Sequence, residues 1–196
     1  GINSGVAVDP YIEGAVFQEV AADGTVLQRQ STPSDAQGVF VFPKPLSEGS
    51  RVDLKVSQKG MHEGAPFEGM LKRKVNSDNA GALIVSPLTT LLANGVTEQE
   101  IIDLFSDVGL GLTREDLYRD PMQGVSSLSG QFSDEQLKTL HANMAVNHFM
   151  MTIGQFNVGK SDLDEYDNFQ LFAALIKANK DLLHGTEFAR INSELG

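Results

Sequence analysis

Gly154, Gly159, Lys160 and Ser161 stand at the spacing of a phosphate-binding loop. The segment GQFNVGKS fits the pattern G-x-x-x-x-G-K-[ST], in which backbone N–H groups and the lysine hold phosphates and the hydroxyl binds Mg²⁺. Such a loop needs a buried strand before it and a helix that begins at the Lys-Ser pair. The preceding segment has helical spacing instead, and the following SDLDEYDN would set carboxylates beside a triphosphate of like charge. We therefore predict that this chain neither binds nor hydrolyses nucleotides.

Asp162, Asp164 and Asp167 form a second group with ligand chemistry, since Ca²⁺ is bound by carboxylate oxygens. An EF-hand loop counted from Asp162 needs Gly at the sixth position and Glu at the twelfth, where this chain has Asp167 and Ala173. Acidic side chains also collect at helix N-termini, where they interact favourably with the helix dipole. We interpret this segment as a helix start, with an irregular calcium site at the three aspartates as the alternative.

Histidine, cysteine and serine patterns give no further site. His141 and His148 share a face of a predicted helix, but apolar residues lie between them where a third zinc ligand is needed. The other histidines, His62 and His184, are distant in sequence. The absence of cysteine excludes disulfides, thiolate metal sites and cysteine nucleophiles, and no G-x-S-x-G motif marks a hydrolase serine. We therefore assign no catalytic, cofactor-binding or metal-binding residue, and we interpret three methionines as core residues: Met144, Met150 and Met151.

Length and charge narrow the class of protein. The chain has 196 residues, 41% of them hydrophobic, which is enough for one large or two small packed domains. A net charge of −11 opposes binding to nucleic acid or anionic lipid, because both are polyanions. No apolar run approaches the roughly 18 residues of a membrane span. The chain opens on Gly rather than Met, which is typical of a trimmed or mature form, so we expect an export signal to have preceded it.

The first 85 residues carry the pattern of short strands separated by turn residues. Alternating apolar residues and Asp-Gly, Gln-Gly and Glu-Gly turns predict an antiparallel β-sandwich domain over residues 1–85. The segment 57–69 holds three glycines and a proline, which predicts a long loop. The predicted strands are Val6–Val8, Ala15–Val20, Thr25–Gln30, Val39–Phe42, Val52–Val56, Met70–Val75 and Ala82–Val85.

Helical spacing replaces the strand pattern after Val85. Three N-terminal caps predict helix starts, at Ser86-Pro87, Thr97-x-x-Glu100 and Ser133-x-x-Gln136. Thr113 is predicted to cap a short turn, and Gly154 to follow the end of the longest helix. Further helices are predicted within 169–183 and 186–195. Strands followed by helices predict an α+β fold with an all-helical domain over residues 86–196, which carries 7 basic and 16 acidic side chains.

The junction between the two halves is too short for a flexible linker. Val85 ends a predicted strand, and Ser86 already caps the next helix. We therefore expect the halves to be tightly coupled. The apolar side chains of the first helix should pack against the sandwich or the later helices: Leu88, Leu91 and Leu92.

Several motifs in a fixed order resemble a known arrangement. IEGAV (12–16), the Asp23-Gly24 turn and SDAQGVFVF (34–42) resemble the transthyretin-like or carboxypeptidase-regulatory-like β-sandwich. VSPLTTLL (85–92) is similar to the S/T-P-L-T-T-L step that leads from such a sandwich into helices in bacterial cell-surface proteins and lipoproteins. The resemblance covers about residues 5–120, and residues 121–196 resemble no family.

The resemblance implies an exported, non-catalytic module of the bacterial cell envelope or surface. Its role would be structural or the binding of an unknown protein or glycan, without a cofactor. A lipid anchor upstream of residue 1 would suit the family. Related sandwiches often carry a calcium turn after the G-A-x-V strand, and residues 17–24, FQEVAADG, lack it. The alternative function is that of a hydrolase whose active-site residues are distant in sequence.

Overall fold

The computed structural model describes residues 1–76, 81–125, 130–156 and 173, and they form an α+β fold. Strands come first and helices follow, as the change of sequence period predicts. The strands are β1 (Ser4–Ala7), β2 (Phe17–Val20), β3 (Val26–Gln28), β4 (Val39–Val41), β5 (Arg51–Leu54), β6 (Met61–His62), β7 (Ala65–Pro66), β8 (Lys72–Lys74) and β9 (Leu83–Val85). The helices are α1 (Pro87–Ala93), α2 (Glu98–Asp107), a 3₁₀ helix (Glu115–Tyr118) and α3 (Asp134–Phe156).

The strands form two main sheets and one small hairpin. The first sheet has the order β4-β1-β9, the second has the order β3-β2-β5-β8, and β6 pairs with β7. All pairs are antiparallel except β1 with β9, which run parallel. Each of the seven predicted strands overlaps an observed strand, although β1 begins two residues and β5 one residue before the predicted start. The expectation of purely antiparallel pairing is wrong for β9, because the chain crosses from the second sheet to the first between β8 and β9. The predicted loop 57–69 contains the β6–β7 hairpin.

One buried apolar cluster joins the two main sheets. Phe40 of β4 stacks on Phe17 of β2 with ring centroids 4.1 Å apart, and Phe42 meets Phe40 edge-on at 6.0 Å. Val52 and Leu54 of β5 complete this side of the cluster. Gly5 of β1 lies against the Phe40 ring, where a Cβ atom would collide with it. The cross-sheet aromatic contacts therefore depend on the absence of a side chain at residue 5.

The helix caps lie where the sequence predicts them. Ser86 and Thr97 each form a capping box, and the Ser133 and Gln136 side chains bond reciprocally to each other's backbone N–H. The expected end of α3 before Gly154 is wrong, because the helix continues to Phe156. An interior glycine costs a helix only about 1 kcal/mol, which a helix of this length tolerates. The predicted helices 169–183 and 186–195 lie outside the described residues, except for helical Ala173.

The helices pack on one another and on the first sheet. Leu88 and Leu91 of α1 lie in one buried cluster with Phe105 of α2 and Val146 of α3, which confirms the predicted packing of α1 against later helices. Another side of α3 presents Leu140 and Met144 to Val8 and to the partly buried Val6 and Ile84 of the first sheet. Within the described ranges, no helix combines the length and apolarity that crossing a lipid bilayer requires.

Helix α1 closes the outer edge of β8. The Thr90 hydroxyl accepts a hydrogen bond from the Lys72 N–H at 2.9 Å, and the Thr89 hydroxyl donates to the Lys72 carbonyl at 2.9 Å. Thr90 Oγ1 also donates to the Ser86 carbonyl at 2.8 Å. An edge strand leaves such backbone groups unpaired unless another element covers them. The Thr-Thr pair of the SPLTT segment therefore acts as a side-chain substitute for a neighbouring strand.

Thr90→Val should lower the free energy of unfolding by about 1–3 kcal/mol, because it leaves the Lys72 N–H without its acceptor at nearly constant volume. Urea denaturation followed by circular dichroism measures the change. Ser106→Ala, at an exposed position of α2, is the control and should stay within about 0.5 kcal/mol. Equal stability of the Thr90 variant and the wild type would show that water replaces the threonine hydroxyl at this edge.

Candidate functional site

The turn that follows β1 holds an acidic side chain away from water. Val8 and Tyr11 pair across the turn, and the Ile12 N–H donates to the Ala7 carbonyl at 3.0 Å. Asp9 and Pro10 occupy the two central positions, and Asp9 is only 3% exposed. Its Oδ2 atom has no hydrogen-bond partner among the described residues. A buried carboxyl oxygen without a partner lowers the stability of the fold. A functional role would explain why this turn keeps one.

Burial determines the protonation state of this carboxyl. Removal from water disfavours the charged form and raises the pKa of Asp9 well above its ordinary value. No described cation offsets the effect. Burial therefore favours the protonated form of the Asp9 carboxyl more than it would be favoured in an exposed aspartate.

The β6–β7 hairpin places His62 against the same turn. Glu63 and Gly64 both have positive φ angles, 47° and 77°, which gives the tight reversal between the two strands. The His62 ring meets Phe67 edge-on at 5.3 Å, and its Nδ1 atom lies 2.8 Å from the Asp9 carbonyl oxygen. Because a carbonyl oxygen only accepts hydrogen bonds, His62 must carry a proton on Nδ1 in this contact. The imidazole thus donates to the carbonyl of the Asp9–Pro10 peptide bond.

Tyr11 links the turn to a second aspartate. Its hydroxyl donates to Asp120 Oδ2 at 2.8 Å, and Asp120 Oδ1 accepts from the Met122 N–H at 2.8 Å. Burial raises the pKa of Asp120, while these two hydrogen bonds oppose the rise. Burial and the contact with Asp120 raise the pKa of Tyr11. The Asp9 turn site, defined as Asp9, Pro10, Tyr11, His62 and Asp120, thus combines acid groups with a ring N–H donor.

Other buried charged groups are held by structural partners. Glu19 accepts from Gln28, from the Ser47 N–H and from the Ser50 hydroxyl. Asp116 Oδ2 accepts from the Thr113 N–H, and Arg119 Nη1 forms an ion pair with Asp116 Oδ1 at 3.1 Å. Asp116 Oδ1, like Asp9 Oδ2, is buried and has no hydrogen bond, but the Arg119 cation pairs with it, and no cation pairs with Asp9 among the described residues.

Arg73 is a further buried charge that serves the junction between sheet and helices. It donates to the Lys74 and Ile84 carbonyls, each at 3.1 Å, and its guanidinium lies 4.8 Å from the centre of the Tyr118 ring. The Tyr118 hydroxyl in turn donates to Glu98 at 2.6 Å. Burial lowers the pKa of Arg73. This chain of contacts connects β8 to the 3₁₀ helix and α2.

The nucleotide-loop pattern fails where the structure describes it. A helix, not a strand, leads into Gly154, and Gly154 lies inside α3, which confirms the sequence argument about the preceding segment. Gly159, Lys160 and Ser161 lie outside the described residues, as do the calcium candidates Asp162, Asp164 and Asp167.

The histidines also give no metal centre in the described chain. His141 and His148 lie seven residues apart in α3, and burial lowers the pKa of His141. In the ranges that the structure describes, no three His, Asp or Glu side chains converge to hold a metal ion. His184 lies outside those ranges.

The sequence contains one signal of the Asp9 turn site that belongs to none of the motifs considered above, the repeated dipeptide Asp-Pro. Asp-Pro occurs twice, at residues 9–10 and 120–121, and both dipeptides lie in turns. The contact between Tyr11 and Asp120 spans 109 residues, so no local pattern could reveal it. The burial of Asp9 is equally invisible in sequence, since Asp-Pro ordinarily marks an exposed turn.

Comparison of the chain with models of protein families, with curated proteins and with solved structures gave no match. Function must therefore be argued from the residues and their geometry alone.

Calorimetric titration with millimolar Mg-ATP or Mg-GTP should give no saturable binding, because the helix before Gly154 denies the motif its strand. Lys160→Ala should change the free energy of unfolding by less than about 0.5 kcal/mol, as expected for a residue predicted to lie in an exposed loop. Saturable nucleotide binding that Lys160→Ala abolishes would restore the nucleotide hypothesis.

Asp9→Asn should remove a pH dependence from the stability of the protein. Between the ordinary value of 3.8 and the raised pKa in the folded state, the native state binds more protons at Asp9 than the unfolded chain does. The Asp9 contribution to the free energy of unfolding therefore falls as pH rises through that window, by at most about 1.4 kcal/mol per pH unit. Urea denaturation at several pH values should show the variant gaining on the wild type as pH rises.

The control for this titration is Asp107→Asn, at an exposed position of α2, which makes the same side-chain change. Its stability difference from the wild type over the same pH range gives the baseline against which the Asp9 variant is compared. Parallel curves for the Asp9 variant and the wild type would mean that Asp9 is ionised inside the folded protein.

Proposed function

We propose that this chain is a non-catalytic structural or ligand-binding module of the bacterial cell envelope or surface. In this proposal residues 1–85 form a β-sandwich of the transthyretin-like kind, and residues 86–196 form an acidic helical domain. The ligand would be a protein or a glycan, and no cofactor takes part. The observation that carries the proposal is that the motifs of the resemblance contact one another and hold the fold together.

The first support is the way two of these motifs meet at Ser34. Its hydroxyl accepts from the Ala15 N–H at 2.9 Å and donates to the Ile12 carbonyl at 2.6 Å. Backbone hydrogen bonds add to this contact, from the Gly14 N–H to the Ser34 carbonyl and from the Ser34 N–H to the Ala15 carbonyl, both at 2.8 Å. The S-D-x-x-G segment is thus fastened to the I-E-G-A-V segment, as parts of one sandwich would be.

The second support is the SPLTT step. Ser86 caps α1, Pro87 occupies its first turn, and the two threonines bond to the edge of β8. The hydroxyls of this segment are thereby engaged in joining sheet to helix. A structural role for every polar side chain of the motif favours a scaffold over a reaction centre.

Location is the property that tests this proposal most directly. We expect the tagged full-length gene product, expressed in its source bacterium, to fractionate with the envelope or the secreted material. Added protease should degrade a surface-exposed form in intact cells, while a cytoplasmic marker enzyme survives. Metabolic labelling with a radioactive fatty acid tests for a lipid anchor in the same cells. Recovery of the protein in the cytoplasmic fraction with its marker would refute the assignment to the envelope.

A hydrolase is the second candidate, and one observation favours it. Asp9 and Asp120, which Tyr11 connects through the turn and its hydroxyl, both have raised pKa values, and carboxyl groups with raised pKa values serve in general acid and base catalysis. Against it, Asp9 is almost wholly buried, so its carboxyl lacks access to an external substrate. Chromogenic ester, glycoside and peptide substrates test the candidate. Turnover that Asp120→Asn abolishes, with the fold retained, would favour the hydrolase over the non-catalytic module.

A further inference from the structure

The Asp9–Pro10 peptide bond has an unusual environment in this fold. A carboxyl group on an aspartate is tethered close to its own carbonyl carbon, and attack there closes a five-membered ring. Proline supplies a tertiary amide nitrogen, which is more readily protonated as a leaving group than an ordinary amide N–H. Carboxylates are established nucleophiles in covalent catalysis. Asp-Pro bonds therefore carry an intrinsic tendency to break that the surroundings either suppress or promote.

Three features of the Asp9 turn site act on that tendency. The Asp9 Oδ2 atom has no hydrogen-bond partner, so no interaction needs to be broken before it attacks. His62 Nδ1 lies 2.8 Å from the Asp9 carbonyl oxygen, where its N–H polarises the carbonyl and stabilises developing negative charge. Asp9 and Pro10 are both buried, which strengthens this electrostatic interaction and keeps bulk water from competing.

We propose that this protein cleaves its own Asp9–Pro10 bond, with the Asp9 carboxyl as nucleophile and His62 as the donor to the carbonyl oxygen. This activity is a single self-processing event. It does not depend on the function proposed above, because it needs no ligand and no cellular location.

The reaction proceeds in two balanced steps. A carboxyl oxygen of Asp9 bonds to the Asp9 carbonyl carbon, and the resulting oxyanion is held by the His62 N–H. The bond to the Pro10 nitrogen then breaks, and the nitrogen keeps the electron pair and takes the proton that the carboxyl releases. Asp9 is left as a cyclic anhydride, which one water molecule opens to two carboxyl groups. The sum is the hydrolysis of one peptide bond, with no oxidation or reduction.

Burial of Asp9 favours the departure of the Pro10 nitrogen, which must take up a proton. Burial raises the pKa of this carboxyl, which favours the protonated form that supplies the proton the proline nitrogen needs. The catalytic groups are therefore supplied by the turn and the hairpin alone.

The second Asp-Pro bond of the chain lacks this environment and serves as an internal reference. Both carboxyl oxygens of Asp120 accept hydrogen bonds, from the Tyr11 hydroxyl and from the Met122 N–H. These contacts hold the carboxylate in place and lower its nucleophilicity. The same dipeptide thus occurs twice in one molecule, once with a carboxyl oxygen that has no hydrogen-bond partner and once with both carboxyl oxygens engaged.

The experiment is a time course on the full chain at pH 7 and 37 °C, followed by denaturation and mass spectrometry. We expect two fragments, 1–9 and 10–196, whose masses sum to that of the chain plus one water. The Asp120–Pro121 bond should stay intact over the same period. In urea, where the turn is lost, cleavage at Asp9–Pro10 should fall to the rate at Asp120–Pro121.

Variants separate the roles of the groups. Asp9→Asn should abolish cleavage, and His62→Ala should slow it by about 100-fold, as removal of one oxyanion donor does in other enzymes. Pro10→Ala keeps the carboxyl and His62 but worsens the leaving group, so it should also slow the reaction, and circular dichroism verifies that each variant is folded. An uncleaved wild type, equal cleavage of both Asp-Pro bonds, or a rate unaffected by His62→Ala in folded protein would each overturn the proposal.

Discussion

Phe40→Ala should lower the free energy of unfolding by about 3–5 kcal/mol, the range for removing a fully buried phenylalanine from a core. The Phe40 ring stacks on Phe17, meets Phe42 edge-on and rests on Gly5, so its loss opens a cavity that neighbouring side chains cannot fill without moving a strand. Urea denaturation followed by circular dichroism gives the change. Because native domains are only marginally stable, this one substitution removes a large share of the total stability.

Val41→Ala is the matched control for this substitution. Val41 follows Phe40 in β4 but points to the other side of the strand and is 38% exposed. Its truncation should cost less than about 1 kcal/mol, because little apolar surface returns to water. Equal losses for the two variants would contradict the assignment of Phe40 to the interior between the two sheets.

Gly38→Ala should destabilise the protein by about 2–5 kcal/mol, through backbone strain and a steric collision together. Gly38 has a φ angle of 77°, which an L-residue adopts only at a cost, and a Cβ atom there would strike the Ala7 backbone. The Gly38 carbonyl also accepts from the Ala7 N–H at 2.8 Å, so the two segments cannot move apart without losing this bond.

Gly49→Ala separates strain from collision. Gly49 has nearly the same φ angle, 81°, but nothing lies within 4 Å of the Cβ position. Its substitution should cost only about 1–2 kcal/mol, the strain alone. The difference between the two variants in the midpoint of urea denaturation measures the collision at Ala7. A Gly38 variant no less stable than the Gly49 variant would mean that the hairpin shifts to accommodate the methyl group.

Sequence reasoning succeeds in this protein where the determinants are local. The caps at Ser86, Thr97 and Ser133 each depend on three or four consecutive residues. All three form the predicted hydrogen bonds at the start of a helix. Alternation of apolar residues likewise locates the seven main strand segments. The order of strands before helices gives the α+β class, while the sandwich and the domain division remain proposals.

Local sequence patterns do not predict which distant segments pair. Nothing near Leu83 indicates that β9 will lie parallel to β1. The pairing partner of β9 depends on the path of the chain between the two sheets. Gly154 shows that a local signal can also mislead. The glycine predicts a helix end, but the long helix α3 continues through it. The Asp9 turn site was missed for both reasons, distant contacts and a misleading local signal. Its aspartate reads as an exposed turn, and its partners His62 and Asp120 lie 53 and 111 residues away.

The place of β1 between β4 and β9 has a consequence for folding order. The strand nearest the N-terminus forms the centre of its sheet, yet its parallel neighbour is the last of the nine strands in the described ranges and leads directly into α1. Contacts between such distant segments require closure of a long loop, which slows folding. During synthesis, residues 4–7 must wait until Val85 has emerged before the first sheet can close. Until then the faces of β1 and β4 that the finished protein buries stay accessible to chaperones, and arrival of β9 ends that interval.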